Sequence, residues 1–174
     1  MKRIFLLLAI VGMTAFQSCN SDDTADQKDT DTIAEVFEIN QSTTFNAGNN
    51  YRINYTLNPQ IFSSDMILVY RLDGVDGQED VWVPLPKTYY VNGGIDEVDY
   101  SYDFYVSKIY IYLGFTNSAF LTPDLTNNQV FRVVIIPGFL SNKGTSTVDF
   151  SDYNAVIQAY GLNDSNIKTI GERK

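Results

Sequence analysis

Histidine is missing from all 174 residues, and cysteine occurs once, at Cys19. Without an imidazole there is no Ser-His-Asp or Cys-His nucleophile system and no HExxH zinc site. A single thiol rules out an internal disulfide, a thiol redox pair and a cysteine-ligated metal. The 11 glycines never form Gly-x-Gly-x-x-Gly behind a strand or a Walker-type loop, which argues against nucleotide and flavin cofactors. No cofactor is expected. Basic residues are scarce, 12 Lys and Arg against 21 Asp and Glu. Such a surface repels phosphate backbones, and no Lys/Arg cluster offsets it, so nucleic acid is excluded as a partner. Long apolar runs are lacking too. Only Ile4–Ala15 qualifies, and at about 12 residues it falls short of the roughly 20 that a spanning helix requires.

That stretch is where the positive signals begin. Lys2 and Arg3 precede it and Phe16-Gln17-Ser18-Cys19 follow it, which is the layout of a secretory signal. The last four residues resemble the lipobox: Ser18 and Cys19 match it directly, and Phe16 and Gln17 match the looser form of Bacteroidota lipoproteins. The resemblance implies removal of residues 1–18 and a diacylglycerol thioether, usually with an N-acyl chain, on Cys19. Each buried methylene contributes about 0.8 kcal/mol, so more than one acyl chain gives stable attachment. A plain signal peptide with a chance cysteine and a retained N-terminal anchor are the alternatives. Asn20-Ser21-Asp22-Asp23 resembles the acidic tetrapeptide that sends Bacteroidota lipoproteins to the outer face of the outer membrane. The expected location is therefore the cell envelope, lipid-anchored in the outer membrane and facing outward. With Lys2 and Arg3 removed, ten basic residues face 21 acidic ones, a formal net charge of −11.

From Asn20 to Thr32 the chain has five aspartates and almost nothing apolar, so residues 19–32 read as a lipidated cysteine on a flexible acidic tether. Residues 33–174 suit one domain. Tyr51, Ile53, Tyr55 and Leu57 alternate with polar neighbours, as do Val98, Tyr100, Tyr102 and Phe104, and Ile109, Ile111 and Leu113. Met66–Leu72 and Val130–Ile136 are nearly continuous apolar runs, the mark of strands covered on both faces. Val81–Val83 and Thr88–Val91 flank Pro84 and Pro86 and suit edges. Turn signals stand at Asn46–Asn50, Asp73-Gly74, Asp76-Gly77, Asn92–Gly94 and Thr122-Pro123. The class expected is mostly β, an antiparallel β-sandwich. One short C-terminal helix is expected at about 151–160, with Ser151 as N-cap, Tyr153, Val156, Ile157 and Tyr160 as its stripe and Gly161 past its end. Asn166–Ile170 reads as a last short strand.

Ser64–Leu72, Asp80–Pro86 with Tyr89-Tyr90, Gln129–Gly138 and Asp149–Ile157 together resemble blocks of a family of small, mostly uncharacterised Bacteroidota lipoproteins. Many of these carry a Gly-rich, collagen-like spacer where this chain has its Asp/Thr tether. The resemblance implies an envelope location and a small β domain, and brings no activity with it.

Candidate sites are few. Asp73, Asp76 and Asp80, with Gln78 and Glu79, crowd one hairpin and form a weak calcium candidate. The EF-hand pattern fails there, with Val81 at the glycine position and Lys87 at that of the bidentate glutamate. Asp96, Glu97, Asp99 and Asp103 lie close in sequence, and paired carboxylates can hydrolyse glycosides, but Asp99 and Asp103 read as the solvent face of a strand. Aromatics are abundant, with 12 Tyr, 11 Phe and one Trp. If Ile109, Ile111 and Leu113 point inward, Tyr110 and Tyr112 point out, with Trp82 and Tyr90 as further candidates for a ring-lined face that suits a glycan or a protein. The bland alternative is that tyrosine favours half-buried strands or that another layer covers that face. The expected function is a non-enzymatic binding or structural lipoprotein. A glycan-binding accessory lipoprotein is the alternative, and an envelope hydrolase a distant third.

Overall fold

The computed structural model describes residues 33–40, 44–141 and 148–170; the export signal, Cys19 and the acidic leader lie outside the described residues. The described chain is mostly β. Its strands are β1 (Glu35–Ile39), β2 (Arg52–Thr56), β3 (Met66–Asp76), β4 (Glu79–Pro84), β5 (Lys87–Val91), β6 (Asp96–Tyr105), β7 (Lys108–Phe115), β8 (Phe131–Ile136) and β9 (Lys168–Ile170). They form a five-stranded sheet in the order β4-β3-β8-β1-β9 and a four-stranded sheet in the order β2-β7-β6-β5. All pairings are antiparallel except that of β1 with β9, in which Phe37 stands opposite Lys168. The short helices are α1 (Pro123–Thr126), α2 (Gly138–Ser141) and α3 (Tyr153–Ala159).

The sandwich follows from the period of two. Phe37, Ile39, Ile67, Val69, Phe131 and Val133 of the larger sheet meet Val98, Tyr100, Ile109, Ile111 and Leu113 of the smaller one in a single core. Rings close the gap between the layers: Phe37 lies 5.2 Å from Tyr55, and Tyr100 lies 6.2 Å from Phe131. The two continuous apolar runs, β3 and β8, are covered on both faces as their composition demands. Their outward residues Tyr70, Val134 and Ile136 pack beneath Tyr153 and Val156 of α3. The chain changes sheet at Pro84-Leu85-Pro86, where a residue without an N–H cannot extend the ladder. Leu85 is buried at this crossing and donates its N–H to Val69 O at 2.9 Å.

Some local expectations change. Asp73-Gly74 is no turn. β3 runs through it with a bulge between Leu72 and Gly74 and reverses only after Asp76, with Gly77 at φ +65°. A strand glycine tolerates the extra residue of a bulge without ending the strand. Thr122-Pro123 opens α1, with Pro123 in its first turn, where its missing donor costs nothing. Helix α3 is capped by Asp152, which accepts from Ala155 N at 3.1 Å. Ser151 instead bonds Asp149, through Oγ at 2.6 Å. At the other end Leu162 N donates to Ile157 O and Gly161 N to Gln158 O. Gly161, at φ +62°, supplies the left-handed residue this closure requires.

Two arginines interrupt the apolar runs, and both are used structurally. Arg71 points between the sheets with a side chain only 7% exposed. Its Nε donates to Gln129 Oε1 at 2.8 Å, and Nη1 donates to Asp73 Oδ1 at 2.8 Å and to the Tyr89 hydroxyl at 2.9 Å. Its Cζ lies 4.5 Å from the Tyr100 ring centre. Gln129 donates in turn to the carbonyls of Asp124 and Asn127, and the Tyr100 hydroxyl donates to Leu125 O. One guanidinium thus joins β3, β5, β6 and the loop before β8.

Removing one member of a buried charged network costs about 3–5 kcal/mol, because the remaining groups lose partners they cannot replace with water. Arg71→Ala is expected to lower unfolding free energy by about 3 kcal/mol in urea titration. Arg71→Lys should not restore it, since a single ammonium cannot reproduce the fork. Burial pushes the phenols of Tyr70, Tyr89 and Tyr153 above the usual tyrosine range, and that of Tyr100 up to about 12. Raised folded values mean that this contribution is complete below the unfolded value of about 10 and is lost as pH rises past it. Denaturant titrations should therefore show stability falling from about pH 10 upward, with tyrosinate absorbance of these four rings appearing together with unfolding.

Candidate functional site

The two sheets differ in what covers their outer faces. On the five-stranded sheet Arg132 points outward, opposite Tyr70 in register. Its Cζ stands 4.1 Å from the Trp82 ring and 5.2 Å from the Tyr153 ring. Nη1 donates to the Tyr153 hydroxyl at 2.9 Å and to Asp164 Oδ2 at 3.3 Å, and Nε lies 3.6 Å from Glu38 Oε2. The last contact is an ion pair, too long for a hydrogen bond, so buried Nε lacks a hydrogen-bond partner among the described residues. A cleft of about 290 Å³ opens here between Glu79, Asp80, Trp82, Asn154 and Asp164. Its aromatic cage is already filled by Arg132, which pins α3 to the sheet.

The four-stranded sheet is open. Because Ile109, Ile111 and Leu113 fill the core, Tyr110 and Tyr112 project from the other side of β7. Register sets Arg52 and Ser101 beside Tyr112, and Asn54 and Asp103 beside Tyr110. Tyr105 closes the row at the end of β6, opposite Lys108. Tyr105 is 62% exposed, and Arg52, Asn54, Thr56, Asp103 and Lys108 are exposed with it. No further layer of the described residues covers them.

The rings are ordered by one another and by charge. Tyr110 and Tyr112 lie 6.3 Å apart with planes inclined by 31°, and Tyr105 meets Tyr110 edge-on at 6.0 Å. Arg52 Cζ sits 5.0 Å from the Tyr110 ring centre. Tyr112 donates its hydroxyl to Asp103 Oδ2 at 2.9 Å. Desolvation among these neighbours, and then that bond to a carboxylate, raise the Tyr112 phenol above its ordinary value. Chemically the face offers flat apolar surface with fixed donors and acceptors at its edges.

Of the four aromatic candidates, the structure unites two. Tyr90 shares the outer face of this sheet and is 69% exposed, but it stands opposite Glu97, four residues along β6 from Ser101, about 14 Å away along the strand. Trp82 belongs elsewhere. β4 pairs with β3, so Trp82 lies on the opposite side of the sandwich, between Arg132 and Tyr153. A period-two reading assigns a side chain to one side of its own strand and is silent on which sheet that strand joins. Tyr105, Arg52 and Asp103 went unnoticed as members of the face. Extending the alternation of β7 to its register partners would have found them.

The carboxylate candidates also disperse. Asp73 points between the sheets to Arg71 and accepts from Tyr89 at 2.6 Å. Asp80 points outward, with Oδ2 3.9 Å from Arg132 Nη2, and Asp76 pairs with Glu79 beside the hairpin turn. No cluster of three metal-ligating side chains forms among the described residues. Asp96, half-buried at the start of β6, accepts from Asn92 and Thr116, whereas Asp103 accepts from Tyr112 on the open outer face. Asp99 folds over Gly114, where a Cβ would come within 2.3 Å of its Oδ1.

No family model, curated protein or solved structure matches the chain. Because Asp73 is held by Arg71 on one side of the hairpin and Asp80 lies on the other, calcium should leave the melting midpoint unmoved. A rise in that midpoint on calcium titration would reveal a site this arrangement does not provide.

Proposed function

We propose that this chain is a lipid-anchored lipoprotein of the outer membrane whose β-sandwich works by binding a partner, without catalysis, through the outer face of its four-stranded sheet. One observation carries the binding role: Tyr105, Tyr110 and Tyr112, with Arg52 and Asp103, form an ordered face that no other described element covers. Tyr105 is 62% exposed and Tyr110 and Tyr112 are half-buried, in contrast to the fully buried Tyr70 and Tyr100 of the core. Support for the anchor comes from the Lys2-Arg3 start, the short apolar stretch and Ser18-Cys19.

The connectivity suits a tethered binder. Glu35, where the first strand begins, lies in the five-stranded sheet, whereas the aromatic face is on the other. An attachment leading into β1 therefore leaves the ring-bearing side clear. Fully extended, the fourteen residues 19–32 reach at most about 50 Å, enough to hold the sandwich away from the headgroups.

Cys19→Ala is expected to move the protein from the membrane pellet to the soluble periplasmic fraction and to abolish palmitate labelling. Unchanged membrane fractionation of that variant, or a native N-terminal peptide without fatty-acyl mass, would overturn the anchor.

A further inference from the structure

We infer that the Tyr105–Tyr110–Tyr112 face takes a neutral, extended glycan chain, an assignment that rests on the proposal above that this face is the binding one. The shape comes first. The rings project from the surface of a sheet, and Tyr110 and Tyr112 follow each other along β7 with planes only 31° apart. Two inclined rings along one strand, with Tyr105 set edge-on beside them, suit the flat apolar faces of successive units of an extended chain better than they suit a compact ligand, which requires a concave site.

Charge narrows the choice. The chain is strongly acidic at −9, yet this face carries Arg52 and Lys108 beside Asp103. Locally the signs nearly balance. A polyanion would meet repulsion from the rest of the surface, and a polycation would find stronger attraction elsewhere on it. A neutral ligand is what the patch complements.

The polar groups narrow it further. Protein–protein interfaces deplete Asp and Lys, whereas here Asp103 is bonded to Tyr112 and Lys108 stands opposite Tyr105. The remaining donors and acceptors of Arg52 and Asp103, with those of Asn54 and Ser101, can bond a partner that brings hydroxyl groups to the edges of the rings. Sugars have that chemistry. Because Arg52 and Asp103 are already held in place, little ordering cost accompanies binding.

The test uses the lipidated, detergent-solubilised protein in affinity electrophoresis against neutral polysaccharides of several linkages and against acidic ones. Retardation by at least one neutral polysaccharide is expected. Tyr110→Ala/Tyr112→Ala should weaken it by about tenfold or more, and Tyr105→Ala, at a well-exposed position whose loss leaves the core intact, by a smaller factor. Trp82→Ala, on the other side of the sandwich, should retain it. No retardation by any neutral polysaccharide, retardation by acidic ones alone, or equal retardation of the double variant and wild type would each overturn the assignment. Circular dichroism of the double variant guards against unfolding, and the Tyr105→Ala result stands if it misfolds. Membrane fractionation of Cys19→Ala is read separately, so loss of the glycan assignment leaves the anchor proposal intact.

Discussion

A guanidinium between two β-sheets is tolerable only if its donors are met and its face is stacked, and Arg71 sets that condition for this sandwich. Its partners come from both layers: Asp73 from its own strand, Tyr89 and Tyr100 from the smaller sheet, and Gln129 from the loop entering β8. Hydrophobic burial holds the sheets together without dictating their relative position. The directional bonds around Arg71 do dictate it, because a shift of one residue along β3 would turn the guanidinium out of the core and take its donors away from Gln129 Oε1 and the Tyr89 hydroxyl.

The neighbouring strand β8 repeats the device in the opposite direction. Arg132 stands next to Tyr70 in register, as Arg71 stands next to Phe131, and the two cations leave the sheet on opposite sides. Arg71 ties the sheets to each other and Arg132 ties α3 to the outside of the larger one. Helix α3 thereby covers the outer side of the larger sheet. Among the described residues, the smaller sheet has no comparable cation reaching for a helix. Its arginine, Arg52, lies over Tyr110, a partner within the same face. The asymmetry that makes one side a candidate binding surface is thus continuous with how the core is held.

Much of this could be read along the chain. Ile109, Ile111 and Leu113 against Tyr110 and Tyr112 specify which side of β7 is wet, because a pleated strand alternates strictly. The unbroken runs of β3 and β8 announce strands with two covered faces, and Tyr153, Val156 and Ile157 followed by Gly161 announce the helix that supplies one of those covers. Arg71 and Arg132 were also visible, as single charges within otherwise apolar runs. Such an interruption signals either a solvent-facing position or a buried one with dedicated partners, and nothing local separates the two.

Period, punctuation and composition act over a few residues, so they were enough for the mostly β class, the approximate strand limits and the outward pair Tyr110 and Tyr112. Which strand lies beside which is a different kind of fact. It depends on contacts between residues far apart in the chain, whose energies are settled together in the packed state. That is why Trp82 ends beside Tyr153 rather than Tyr112, why Asp73 and Asp80 part to opposite sides of one hairpin, and why Arg52, Asp103 and Tyr105 converge on the same face from three different strand positions.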